Sequence, residues 1–398
     1  MNSSTNAVPR MNSRQRMMNA MEHKPVDHIP LLLRFWSLGG EENHIPFNWQ
    51  DEVERVEATT ALGLDDTLLL QPPLGYVEDY IVENAPGVKS RVEYLPLEDG
   101  QNYPLLRKNY DTPVGPLQTS VRTSEDWPRG KDIRLFDDFN LSRLEEPLIK
   151  SAADIERLKY LLPAPNGEQL ARFHRRAVML KNESRRLGVM LDGGWVALGD
   201  AAMWLCGMQR ILYGQTDEPE FIEQVLETIL EWELKRTKLL LEAGIDELVH
   251  MAWYENTDFW SPRTFRRMLK PRLQIEIDLV HSYGVKFRYI ITRSWKPYRQ
   301  DLVQMGVDCI TGADPVQDRL DLAQVKQEIG NQVCLMGGLN SAIMLSQWSD
   351  EQICQAVRQA IDTLTPGGGS ILFPVDAVFN TQPWKKVMVL INEWKAMY

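Results

Sequence analysis

Histidine and cysteine are scarce in this chain of 398 residues, six and four in number. The cysteines, Cys206, Cys309, Cys334 and Cys354, form no Cys-x-x-Cys pair, which removes the usual thiol-pair redox and zinc motifs. Cys309 and Cys334 fall inside predicted strands, so buried thiols in a reducing compartment are expected. There is no P-loop and no nucleophile elbow. Gly367–Gly369 precedes a strand where a dinucleotide fingerprint would feed a helix, so neither ATP nor NAD is expected. No apolar run is long enough to cross a bilayer and no secretory apolar region is visible; the expectation is a cytoplasmic protein with no membrane partner. Basic excess is also missing. The formal charge is −11, which disfavours a general nucleic-acid surface.

What is present is globular: 43% hydrophobic residues and 25% charged. Near the C-terminus one rhythm repeats four times. A short apolar strand (286–292, 308–314, 333–339, 370–377) leads to a small polar tip and then an amphipathic helix. The tips are Thr292-Arg293-Ser294, Asp314-Pro315, Gly337-Gly338-Leu339-Asn340 and Asp376-Ala377. Strands alternating with helices imply parallel neighbours joined by crossovers. Further strands are expected at 28–35, 66–71, 189–192 and 245–252, and eight is the number that closes a (β/α)8 TIM-like barrel. In such a barrel chemistry collects at the C-terminal strand ends, where the tips fall.

Residues 1–10 form a polar tail expected to be disordered, and either Met1 or Met11 could start the chain. Residues 11–398 read as a single barrel domain with an N-terminal helical extension. An inserted antiparallel hairpin region at about 88–124 is signalled by Gly100 and Pro113-Val114-Gly115-Pro116 between strand-like pieces. Gly244 should cap a long helix beginning near Glu218, and Pro271 should kink or split the helix opened by Ser261-Pro262.

Several stretches carry a resemblance. They are Arg14–Ala20 running into His23–Pro30, Tyr110–Gly115, Phe259-Trp260-Ser261-Pro262 with Phe265 and Pro271, Met336–Asn340 and Pro366–Gly369. Together they resemble the uroporphyrinogen decarboxylase superfamily, which implies a distorted (β/α)8 barrel. It also implies one of two chemistries: decarboxylation of uroporphyrinogen, or methyl transfer involving a corrinoid and often zinc. Decarboxylases of the family carry an Arg-x-x-x-Arg pair after the first strand; here Arg34-Phe35-Trp36-Ser37-Leu38 keeps one arginine. Their late Gly-His-Gly is replaced by Val375-Asp376-Ala377-Val378. The thiol-activating methyltransferases carry His-x-Cys and a later Cys, where this chain reads His250-Met251-Ala252 and, near the later position, Asp376. Uroporphyrinogen itself and a Cys-ligated zinc are both disfavoured by these departures.

Candidate residues follow from this frame. His250 with Glu255 is a candidate acid–base pair or oxygen-and-imidazole site for a divalent metal such as zinc. Asp376 and Asp192 are candidate acid–base carboxylates; a strand-end helix cap is the plain alternative for Asp376, and a glycine turn for Asp192-Gly193-Gly194. Arg34, Trp36, Trp195, Tyr254, Thr292, Arg293 and Asp314 are candidate substrate contacts, although Asp before Pro often only builds a turn. The leading expectation is a methyltransferase taking a methyl group from a small donor, such as an aromatic methyl ether, to a corrinoid on a partner protein. The alternatives are a decarboxylase or related lyase of a smaller carboxylated substrate, anchored by Arg293 or Arg34, and a non-catalytic binding protein on the same scaffold. A homodimer is compatible with any of these.

Overall fold

The computed structural model describes residues 10–36, 43–74, 85–97 and 100–398. The expected disordered tail lies, but for Arg10, outside these residues, as do Ser37–Gly40 beyond the first strand. The strands are β1 (Phe35–Trp36), β2 (Thr67–Leu70), β3 (Lys89–Leu95), β4 (Leu105–Thr112), β5 (Gly115–Arg122) and β6 (Leu144–Glu146). They continue with β7 (Met190–Ala197), β8 (Glu247–Met251), β9 (Lys286–Ile290), β10 (Cys309–Ala313), β11 (Cys334–Asn340), β12 (Ser370–Val375) and β13 (Val378–Phe379).

Seven of these form one parallel sheet in the order β12-β11-β10-β9-β8-β7-β2. Its two outer strands are joined through the expected first strand. The Leu32 amide donates to Leu372 O (3.0 Å) and the Asp65 amide to Leu31 O (3.0 Å), bridging β12 on one side and the start of β2 on the other. The sheet therefore curls back on itself in the manner of a TIM-like barrel. The first strand is reduced to these bridges and to β1, which pairs with β13. The strand expected at 189–192 is twice that length. It carries a bulge between Gly193 and Val196 and then resumes its pairing with β8 at Val196 and His250. Gly193-Gly194-Trp195 is consequently part of a strand and not its tip.

Close backbone approach fixes one glycine of this sheet. A Cβ on Gly312 in β10 would lie 1.8 Å from Ile291 O, and the residue has φ +145. Gly244 ends the long helix Pro219–Ala243 in the left-handed conformation (φ 78). The helix opened by Ser261 and Pro262 changes to π-turns over Phe265–Leu269, directly before Pro271, and resumes as Lys270–Ser282. A proline supplies no N–H to the ladder, so the regular pattern gives way there.

Two apolar layers hold the fold. One lies between the sheet and the surrounding helices. The other fills the barrel interior with Leu32, Met190, Cys309, Cys334, Met336 and Ile371. The N-terminal helix Ser13–Met21 adds Met17, Ala20 and Met21 to that inner layer and so plugs the N-terminal end of the barrel. Its arginines anchor it: Arg16 bonds Asp27 (2.7 and 2.9 Å) and Asp65 (2.6 Å), and Arg14 bonds Asp246 (2.6 Å). The inserted region is a four-stranded antiparallel sheet, β3-β4-β5-β6, running on to Glu146 and therefore beyond the expected limit of 124. No helix among the described residues is long and apolar enough to cross a membrane.

Candidate active site

Side chains alternate along a strand, so Glu247 and His250 of β8 leave it on opposite faces. Glu247 faces the barrel interior. There Arg288 of β9 reaches it (2.9 Å) and also Asp192 of β7 (2.7 Å), and Asp192 accepts a further bond from the Thr67 hydroxyl (2.7 Å). Burial pushes both carboxyls above their usual range, against the pull of Arg288. Asp192 is thus part of an interior ion cluster within the barrel wall; the extension of β7 to Ala197 leaves it three residues into an eight-residue strand.

His250 turns the other way, into the helix layer. Its Nδ1 lies 2.7 Å from Glu276 of the helix Lys270–Ser282, and its Nε2 lies 3.2 Å from Glu255. The ring stacks on Tyr289 (centroids 5.4 Å). Glu255 also accepts from the Gly199 amide (2.6 Å) and from the Tyr289 hydroxyl. His250, Glu255, Glu276 and Tyr289 are all buried. Burial alone would depress the imidazole, but the carboxylates of Glu276 and Glu255 outweigh it and hold the ring well above its ordinary value. His250 is therefore an imidazolium between two carboxylates.

The expected metal on His250 and Glu255 meets residues whose donor atoms are already engaged with one another. Both imidazole nitrogens face carboxylates, both Glu255 oxygens are hydrogen-bonded, and both residues are buried. Zinc does not fit this pair: among the described residues no group of three or more His, Cys, Asp and Glu side chains could hold a metal ion. Two of the four catalytic candidates, His250 and Glu255, thus form a structural ion network behind the strand.

The C-terminal face of the barrel brings other residues together. Asp376 directly follows β12, and its amide donates to the Ser341 hydroxyl beyond β11 (3.2 Å). Its side chain is exposed, yet surrounding protein raises its pKa, with the charge of Asp138 adding to the effect. Asp138, from the short helix between β5 and β6 of the inserted sheet, accepts the Tyr254 hydroxyl (2.5 Å). Burial and Asp138 push the Tyr254 phenol up as well. Trp195, in the β7 bulge, meets Trp253 edge-on with centroids 5.8 Å apart. Trp36, in β1, lies beside the β13 segment that follows Asp376. Trp36, Trp195, Trp253 and Tyr254 are half-buried, as aromatic walls of an open site would be. Thr292, half-buried, follows β9 at the same end.

The remaining candidates lie elsewhere. Arg293 is exposed and pairs with Asp258 (3.0 Å). Asp314 is buried and builds its turn: one oxygen accepts the amides of Val316 (2.7 Å) and Gln317 (3.1 Å), the other the Asn340 amide group (2.8 Å). Arg34, at the end of the first strand, pairs with Glu52 (3.0 Å) and keeps its Nε buried with no hydrogen-bond partner among the described residues.

Sequence reasoning missed Asp138, Asp200 and Glu276. Glu276 had a signal, since it lies on the apolar stripe of its helix with Leu273, Ile277 and Val280. Asp200 sits beside Gly199 at the start of a helix whose residues are otherwise all apolar or small. Asp138 had no signal, because only the fold brings the inserted region to the barrel mouth.

Residues 130–397 match the family model described as uroporphyrinogen decarboxylase (URO-D). A methylcobamide:CoM methyltransferase of Methanosarcina barkeri is 25% identical over 198 residues, which is 48% of this chain and 56% of that protein. The match thus spans little more than half the length of this curated relative. A solved methyltransferase from Methanosarcina mazei shares the fold, with a TM-score of 0.58 at 18% identity over 98% of this chain and all of that one.

Proposed function

The chain belongs to the uroporphyrinogen decarboxylase family, and from that premise we propose that it is a methyltransferase moving a methyl group from a small donor to a corrinoid carried by a partner protein. The observation that carries the reading is Asp376: a strand-end carboxyl that is exposed, raised in pKa and at the end of the barrel where Trp36, Trp195 and Tyr254 also stand. The methyltransferases among its relatives support the same branch. A methyl ether is a poor donor because an alkoxide or phenolate leaves badly. The corrinoid, when present, supplies the nucleophile that takes the methyl group.

The work of this chain is on the donor. Aromatic walls at Trp36, Trp195 and Tyr254 hold an apolar or aromatic methyl ether, and they exclude water from the oxygen. Asp376 in its acid form gives a proton to that oxygen as the carbon–oxygen bond breaks. The bonding pair stays on oxygen, the donor leaves as an alcohol or phenol, and Asp376 is left ionised. Bulk solvent restores its proton through the open mouth.

The test is a spectroscopic assay of purified protein with reduced corrinoid and a panel of small methyl ethers. Methylation of the corrinoid is expected, and Asp376→Asn should slow it by about 100-fold or more with an unchanged melting temperature. No corrinoid methylation from any donor, with activity indifferent to Asp376→Asn, overturns the proposal. A second reading, decarboxylation of a small carboxylated substrate, has one observation in its favour, the buried Nε of Arg34, which has no hydrogen-bond partner among the described residues. Carbon dioxide release abolished by Arg34→Ala would replace the first reading with it. Arg293, turned outward to Asp258, adds nothing to that alternative.

A further inference from the structure

The loop after β8 carries Trp253 and Tyr254 into the barrel mouth, and one buried carboxylate holds both. Asp200 lies in the first turn of the helix Gly199–Cys206, which follows β7. One of its oxygens accepts the Trp253 amide (2.9 Å) and the other the Tyr254 amide (2.7 Å). It is fully buried, and the hydrogen bonds it makes are to this loop. The adjacent Gly199 amide holds Glu255 (2.6 Å), so two consecutive residues at one helix start fix three consecutive residues of the loop. On the far side the Trp260 indole N–H holds Tyr254 O (2.9 Å). The Tyr254 backbone is thus pinned from both sides, and its hydroxyl ends at Asp138.

Burial and the neighbouring Glu255 push the Asp200 carboxyl well above its usual range, while the Tyr254 and Trp253 amides and His250 pull the other way, so the position is a costly one for an acid. A loop that needed only to be closed would be served by a neutral acceptor. Two converging amides require two acceptor oxygens on one small group, and an aspartate meets that geometry where asparagine, with one oxygen and one N–H2, does not.

We propose that Asp200 is a positioning residue for the transfer: by holding the Trp253 and Tyr254 amides it aims the Tyr254 hydroxyl at Asp138, beside the acid Asp376. The inference rests on the methyl-transfer reading for its consequence in catalysis, but not for its geometry. Asp138 acts on Asp376 from the inserted region, and the Tyr254 hydroxyl donates to the Asp138 carboxylate. Shifting the loop frees Asp138 and changes the field at the acid.

The experiment compares Asp200→Asn, Tyr254→Phe and the double variant. Asp200→Asn should lower kcat by roughly 10- to 100-fold, the cost of a small misplacement, with KM for the donor changed less than about twofold. It should move the alkaline limb of the pH–rate profile to lower pH, as Tyr254→Phe does, and the double variant should add nothing to either. Additive losses, or a fall in melting temperature with the limb unmoved, overturn the proposal. Should Asp200→Asn fail to fold, Tyr254→Phe with Asp138→Asn takes its place: the two must move the limb together, and an unmoved limb in either overturns the proposal. A crystal structure of Asp200→Asn gives a readout independent of any reaction. The Tyr254 hydroxyl is expected out of hydrogen-bond range of Asp138, and an unchanged loop refutes the positioning role even where methyl transfer itself is confirmed. An unmethylated corrinoid together with a displaced loop refutes only the methyl-transfer reading.

Discussion

The two sides of strand β8 and its loop place carboxylates in low-dielectric surroundings with opposite results. In the helix layer His250 is sandwiched between Glu276 and Glu255, and Glu255 takes two further donors, from Gly199 and Tyr289. Both imidazole nitrogens and both Glu255 oxygens are engaged there. At the mouth Asp376 is open to solvent and Asp138 is held by a phenol, and among the described residues no cation pairs with the two carboxyls. Raised titration therefore arises in two settings in this molecule. In the wall it accompanies a paired ion network; at the mouth it accompanies an exposed carboxyl, which is why the proposed function places the acid there. Completeness of partnering separates them, and residue type does not.

The comparison breaks most clearly at His250. Removing the imidazolium by His250→Ala leaves Glu276 and Glu255 facing each other without compensation, at a cost of about 3–5 kcal/mol in denaturant unfolding. A loss below 1 kcal/mol would mean that the wall network is not ionic. Gly199→Ala tests the same network sterically. A Cβ there would sit 2.6 Å from the Glu255 Cγ, so about 1–3 kcal/mol of stability should be lost, and the variant should melt earlier.

The wall also sets a pH dependence. Because the folded His250 binds its proton above the ordinary value of 6.5, its contribution is complete below that pH. It is lost as pH rises through the folded value. Unfolding free energy should fall above pH 6.5 with a slope of about 1.4 kcal/mol per pH unit for one proton, and His250→Gln should flatten that slope. An equal slope in the variant would assign the titration elsewhere. The smallest effect belongs to Arg293→Ala. An exposed pair of this kind is worth about 0–1 kcal/mol, and no change in activity is expected. A large loss of activity would bring Arg293 back into the site.

Legibility followed the range of the interactions. The strands at 286–292, 308–314 and 370–377 were visible because apolar runs bounded by glycine, proline and aspartate are local signals. The strand at 189–192 was cut short because Gly193-Gly194 reads as a turn, whereas pairing with β8 carries the chain through a bulge to Ala197. The spacing of His250 and Glu255 marks them as a pair, but it carries nothing of their surroundings. Their partner Glu276 is 26 residues from His250, on a helix, and no local pattern shows that the ring faces outward. Asp376 was recognised as a strand-end carboxyl, but its neighbour Asp138 came only with the packing of the inserted sheet.

What the sequence by itself determined is the alternation of strand and helix, the excursion after residue 88, and the residues standing at the strand ends. These depend on hydrophobic period and turn chemistry, which act within a few residues. The tertiary structure decided which carboxylates are neutralised and which are left open. That choice depends on partners 26 to 125 residues apart, as in His250 with Glu276 and Thr67 with Asp192, and on which face of a strand each side chain leaves. Burial and charge pairing are properties of the closed barrel, and they exist only once its strands are in register.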